Sequence, residues 1–156
     1  LAVAGTLGRA AAGLSLLFSG DTDAISAYDA LVGVQKRPEP PIEAGIGLNA
    51  TSMLDVSDGL AKDAARIAKA SGVKLVINRK DLNGFEAMLD DAAMRLGVKA
   101  IDWVLGGGED HSLLATFAPG VSIPKAFKPI GFVAEGSGVY LDGDELARHG
   151  WDSITG

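Results

Sequence analysis

Ser52-Met53-Leu54-Asp55-Val56-Ser57-Asp58-Gly59-Leu60 is the stretch whose reading decides the fold. Its first part, within Thr51–Val56, reads as a buried strand. Its end opens a helical pattern in which Leu60, Ala64, Ile67 and Ala68 form an apolar face, while Lys62, Asp63, Arg66 and Lys69 are expected to face water. Gly72 stands where a left-handed residue closes a helix. The segment is thus a strand-to-helix junction carrying two carboxylates and a hydroxyl within four positions. Two readings fit it. Asp and Ser are favoured helix N-caps, so the motif could be an ornate helix start. Alternatively, the carboxylates suit a hard cation, while Gly59 and the helix N-terminus suit a phosphate.

The pattern continues in both directions. Downstream, Val73, Leu75 and Ile77 alternate as a strand, Phe85–Leu96 reads as a helix ended by Gly97, and Ser112–Phe117 reads as a strand. Ile130–Val133 and Val139–Leu141 look like hairpin arms around Glu135–Gly138, with a tight turn at Asp142-Gly143. Upstream, Leu1–Ala4 is a short apolar run, and Thr6 is placed to cap a helix striped by Leu7, Ala11, Leu14 and Phe18. Asp21–Val34 reads as a second helix. The prolines of Arg37-Pro38-Glu39-Pro40-Pro41 force an extended connector, and Ile42–Asn49 reads as a short helix. Helices alternating with strands predict an α/β (α+β) fold, with helices packed on a mixed β-sheet.

The 156 residues suit one domain, 1–156, with a core of ordinary size. A hydrophobic fraction of 47% beside 22% charged residues is that of a globular protein. The formal charge of −6 argues against general nucleic-acid or anionic-membrane binding. Cysteine is absent, which removes disulfides, thiolate catalysis and zinc–sulfur sites from this chain. No apolar stretch approaches the ~20 residues needed to span a bilayer. The opening Leu-Ala-Val-Ala-Gly has no basic segment and reads as a strand, not a signal peptide. A cytoplasmic location is expected, and so abrupt an opening suggests a piece of a longer chain.

A second loaded segment is Gly106-Gly107-Gly108-Glu109-Asp110. Three glycines strip the backbone of side chains, so that amides and a nearby carboxylate could close around a ligand. The plain alternative is a flexible loop before a strand, with Glu109 and Asp110 solvated.

Taken together, D-V-S-D-G-L at Asp55–Leu60 and L-G-G-G-E-D at Leu105–Asp110 resemble the C-terminal half of thiamine-monophosphate kinases, members of the aminoimidazole ribotide synthetase-like superfamily. Gly5-Thr6-Leu7-Gly8, Arg37-Pro38 and Gly150-Trp151-Asp152 look like further landmarks of that family, in the same order. The resemblance covers essentially the whole chain. It implies ATP-dependent phosphorylation of thiamine monophosphate to thiamine diphosphate by direct, Mg²⁺-assisted in-line transfer, in a protein expected to be a homodimer at full length. By resemblance, Asp55 and Asp58 hold Mg²⁺, Ser57 contacts ATP, Glu109 contacts the thiamine substrate, and Trp151 packs on its ring. Gly59, Gly106, Gly107, Gly108 and Asp110 support the phosphate loops, and no side chain is assigned as catalytic.

Two departures stand out. The family usually continues Gly-Gly-Gly-Glu-Asp with Tyr-Glu, where this chain has His111-Ser112. The family's N-terminal ATP-binding domain, with its metal-binding aspartates, is absent from this chain, so the 156 residues alone are expected to be inactive. Two other functions fit the sequence: a related superfamily enzyme with another phosphorylated substrate, and a non-catalytic structural or dimerisation module.

Overall fold

The computed structural model describes residues 1–146. Two four-stranded sheets organise it, with eight α-helices around them. The first sheet is antiparallel and runs β2 (Ser52–Val56), β4 (Ser112–Thr116), β1 (Ala2–Ala4), β5 (Phe127–Pro129). The second is mixed and runs β6 (Gly131–Ala134), β3 (Lys74–Ile77), β7 (Gly138–Leu141), β8 (Asp144–Glu145). Helices on mixed and antiparallel sheets are the α/β fold that the alternating pattern predicted.

β1 is buried on both faces, which its unbroken apolar run allows. Val3 joins Leu114, Val56 and Leu60 in the main core beneath the helices. Ala2 and Ala4 turn the other way and pack with Ala115 and Phe127 in a smaller cluster, where Phe117 meets Phe127 edge-on at 5.6 Å.

Several elements depart from the pattern. The helix expected over Asp21–Val34 divides at Tyr28, whose φ −114° and ψ 37° leave the helical region, into α2 (Thr22–Ala27), capped by Asp21 accepting from the amides of Asp23 and Ala24, and α3 (Asp29–Lys36). The short helix predicted over Ile42–Asn49 is a single turn, α4 (Ile42–Gly45). The expected Phe85–Leu96 helix is also divided, into α6 (Asn83–Glu86) and α7 (Asp90–Leu96). A 3₁₀ turn at Arg79–Leu82 leads into it. The arms around Glu135–Gly138 do not pair with each other. β6 is antiparallel and β7 parallel to β3, which lies between them. α8 (Ala100–Gly106) was not foreseen, although Ala100, Trp103 and Val104 bury one helical face.

α1 (Arg9–Ser19) and α5 (Leu60–Ser71) begin close to the two motifs. Thr6 does not cap α1. Its hydroxyl donates to Asp110 at 2.9 Å, and the Asp110 carboxylate accepts from the amides of Arg9 and Ala10. A residue a hundred positions away therefore caps the helix. α5 closes at Gly72 in the left-handed conformation, as its sequence predicted.

Candidate functional site

Antiparallel pairing explains why two distant motifs meet. In the β2–β4 register, Asp55 stands opposite Leu113 and Val56 opposite Ser112, so the end of one strand lies beside the start of the other. D-V-S-D-G-L leaves β2 where G-G-G-E-D enters β4. The two loops then bond directly: the Glu109 amide donates to the Ser57 carbonyl at 3.0 Å, and the His111 amide to the Val56 carbonyl at 3.2 Å.

Glycine makes this approach possible. A side chain on Gly59 would put its Cβ 2.6 Å from the carbonyl oxygen of Gly106, and one on Gly108 would strike the carbonyl of Ser57. Gly107 lies against Trp103 and Ala11. Gly106 has open space where a Cβ would project, and it contributes its backbone to the contact. The glycine-run amides are partly engaged within the protein, since that of Gly107 donates to the Trp103 carbonyl at 2.8 Å. That bond closes α8, and the Glu109 amide joins the loops, where the sequence suggested amides closing around a ligand.

Glu109 and His111 both adopt left-handed backbone, at φ 68° and 50°, which is uncommon away from glycine. Asp110 between them is 4% exposed, whereas the Glu109 side chain is 63% exposed. Burial pushes the Asp110 carboxyl up, against the hydrogen bonds from Thr6 and the helix amides that pull it down. The half-exposed Asp55 carboxylate lies 3.2 Å from Nδ1 of His111, and Nε2 of the same ring lies 3.6 Å from Glu109. His111 thus links a residue of each motif.

No side chain caps α5, whose N-cap is Gly59. The carboxylates of Asp55 and Asp58 are therefore not spent on the cap that the plainer reading gave them. Asp58 instead forms an ion pair with Arg66, and its backbone amide donates to Asp63 at 2.9 Å. Asp63 corrects the sequence reading, which placed it in water, whereas Arg66 is exposed as expected. Asp63 is fully buried and Arg66 is bound to both acids. An acid in the first turn of a helix, five residues after Asp58, is the signal that could have found this, since such acids reach back to amides before the helix. Desolvation pushes the Asp63 carboxyl up, although the Asp58 amide and Arg66 act in the opposite direction.

A groove of about 580 Å³ opens beside the junction. Ala11, Leu14 and Phe18 of α1 form its apolar wall, and Ser57, Gly106–Gly108 and Glu109 line the other side. Asp55, Ser57, Asp58, Gly59 and the whole glycine-run motif are thus brought to one end of the fold. Trp151 and His149 lie outside the described residues.

No protein-family model matches the chain. Among curated proteins it is similar to the thiamine-monophosphate kinase of Mycobacterium tuberculosis strain H37Rv, 40% identical over 159 residues that cover 99% of this chain and 46% of that protein. The thiamine-monophosphate kinase of Aquifex aeolicus is 36% identical over 152 residues, covering 96% and 49%. The crystal structure of thiamine monophosphate kinase from Aquifex aeolicus superposes with a TM-score of 0.80 at 35% identity, covering 93% of this chain and 50% of that one. The chain belongs to the thiamine-monophosphate kinase family. A further neighbour in the family, AaThiL complexed with AMPPCP and TMP, superposes with a TM-score of 0.81 at 34% identity, covering 97% and 50%. The chain spans about half the length of the curated relatives it matches. Among the described residues, no helix is long and apolar enough to cross a membrane.

Asp55 and Asp58 offer carboxylate oxygens at the junction, and no group of three His, Cys, Asp or Glu side chains that could hold a metal ion occurs among the described residues. That donor set fits Mg²⁺, which is usually held by one or two carboxylates and completes its shell with water and phosphate oxygens. Asp58 already holds a cation, the guanidinium of Arg66.

Proposed function

We propose that this chain is the C-terminal domain, residues 1–156, of an ATP-dependent kinase that phosphorylates thiamine monophosphate to thiamine diphosphate. The observation that carries the reading is the joining of D-V-S-D-G-L and G-G-G-E-D at the mouth of a half-apolar groove. The family relatives and the neighbour bound to AMPPCP and TMP support it.

In this reading Asp55 and Asp58 hold Mg²⁺ by their carboxylate oxygens. The metal supplies charge neutralisation on the phosphate oxygens. Ser57 faces ATP from the loop between them. Glu109 sets its carboxylate at the groove against the cationic thiazolium, and Trp151 stacks on the ring. The wall of Ala11, Leu14 and Phe18 shields the apolar part of the substrate from water. The acceptor oxygen belongs to a phosphate already ionised at neutral pH, so no side chain is required as a general base. Its bond to the γ-phosphorus forms as the bond to the β-phosphate oxygen breaks. Gly59, Gly106, Gly107, Gly108 and Asp110 keep the loops in register. The ATP-binding domain is supplied by the other half of a full-length protein, which we place in the cytoplasm as a homodimer.

Incubating the full-length protein with ATP, Mg²⁺ and a panel of acceptors tests this. One thiamine diphosphate per ADP, with thiamine monophosphate preferred, is the expected result. Turnover of a different phosphorylated acceptor, with none of thiamine monophosphate, would assign the chain to another superfamily activity.

A further inference from the structure

Asp63 stands in the first turn of α5 with no exposed surface, yet it caps no helix amide. One of its oxygens accepts the backbone amide of Asp58, and the other is paired with Nη1 of Arg66. Nη2 of the same guanidinium is paired with the Asp58 carboxylate. The two acids thus hold different nitrogens of one arginine. Arg66 can leave Asp58 without leaving Asp63.

Access to the three groups is unequal. The Arg66 side chain is 47% exposed and that of Asp58 25%, while Asp63 has none. A cation arriving from solvent reaches Asp58 and cannot reach Asp63. An ionised carboxylate out of water requires lasting partners, and Asp63 finds them in Arg66 and the Asp58 amide.

We propose that Arg66 is a place-holding cation on Asp58, exchanged for the divalent metal, and that Asp63 is the positioning residue that retains Arg66 and fixes the Asp58 backbone through the exchange. The inference rests on the metal role given to Asp58 above. With Asp63 present, the displaced guanidinium keeps a partner and the loop keeps its backbone anchor. Without its charge, Arg66 is left to compete for Asp58, and the Asp58 amide loses its charged acceptor.

The test uses the full-length protein and Mn²⁺ alone as a paramagnetic stand-in for Mg²⁺, with free and bound ion counted by electron paramagnetic resonance. Asp63→Asn should weaken Mn²⁺ binding about 10-fold or more, as loss of a group that orients a metal ligand does. Arg66→Gln costs stability because it takes the charge partner from buried Asp63, so its binding is measured below its own melting temperature, where it should be tighter because Asp58 loses a competitor. Adding Arg66→Gln to Asp63→Asn should recover part of the lost affinity, which a merely structural role for Asp63 would not produce. Unchanged affinity in Asp63→Asn, or weaker binding in Arg66→Gln, overturns the inference. If Asp63→Asn does not fold, the Arg66→Gln result alone decides it. Asp58→Asn is the control on the parent reading: if it leaves Mn²⁺ binding unchanged, the metal role of Asp58 fails. If only Asp58→Asn weakens binding, that role stands and the exchange fails.

Discussion

The Glu109 amide donates to the Ser57 carbonyl at 3.0 Å, so the two motif loops share a backbone hydrogen bond as strands do. Positions in one loop therefore act on the geometry of the other.

Gly108→Ala tests that contact. Its Cβ would strike the backbone carbonyl of Ser57, which cannot rotate away as a side chain can. Overpacking of this kind costs about 1–3 kcal/mol. The full-length variant should lose thermal stability and also ATP affinity, because Ser57 is displaced. Gly106→Ala, whose Cβ would meet open space, should leave thermal stability unchanged. Equal effects of the two substitutions would remove the steric argument.

Asp58→Asn should lose most kinase activity in the full-length protein with little change in melting temperature. The ion pair it breaks is partly solvated, a class of interaction worth about 0–1 kcal/mol. Its backbone amide remains bonded to Asp63. A melting temperature that collapses along with activity would make Asp58 a structural residue.

Asp110 gives a prediction in pH. Burial raises its folded-state value above the ordinary 3.8, so the folded chain holds this proton more tightly than the unfolded chain. Ionisation then favours unfolding. Denaturant unfolding of wild type and Asp110→Asn, compared from below 3.8 to neutrality, should show the wild-type advantage greatest at low pH. That advantage should fall as pH rises through the folded-state value. An advantage that grows with pH would mean that Thr6 and the α1 amides outweigh burial.

The 156-residue chain on its own should melt cooperatively and form no thiamine diphosphate from ATP. It spans about half the length of its relatives, and the family resemblance puts the ATP-binding aspartates in the other half. Calorimetry and an ADP-release assay check the two statements. Turnover by the chain alone would sink the second.

Local periodicity made the junction at Asp55–Leu60 legible, because an apolar strand followed by a helical stripe is written within a few neighbouring residues. The α/β class followed from the same signal. What stayed hidden depended on contacts between distant segments. Asp110 caps α1 from across the fold, so Thr6 looked like the cap. β3 inserts between β6 and β7, and this overrode a hairpin that the turn residues favoured. Asp63 looked solvated because helical periodicity places a face but not the loop that folds back over it. At the site, the motifs were readable one by one. Their hydrogen bonds and the Asp55–His111–Glu109 chain required the β2–β4 register.

The same pairing governs when the site comes into being. Asp55 and His111 lie 56 positions apart, so they meet only after a long loop has closed. Contacts of that span slow folding, and a chain with its helices formed but β2 unpaired with β4 has the motif residues and no site. On the proposed function, nucleotide and metal would recognise only the finished fold, and each would add stability that grows with the logarithm of its concentration over its dissociation constant. A cell rich in both would hold this domain folded more firmly than dilute buffer does.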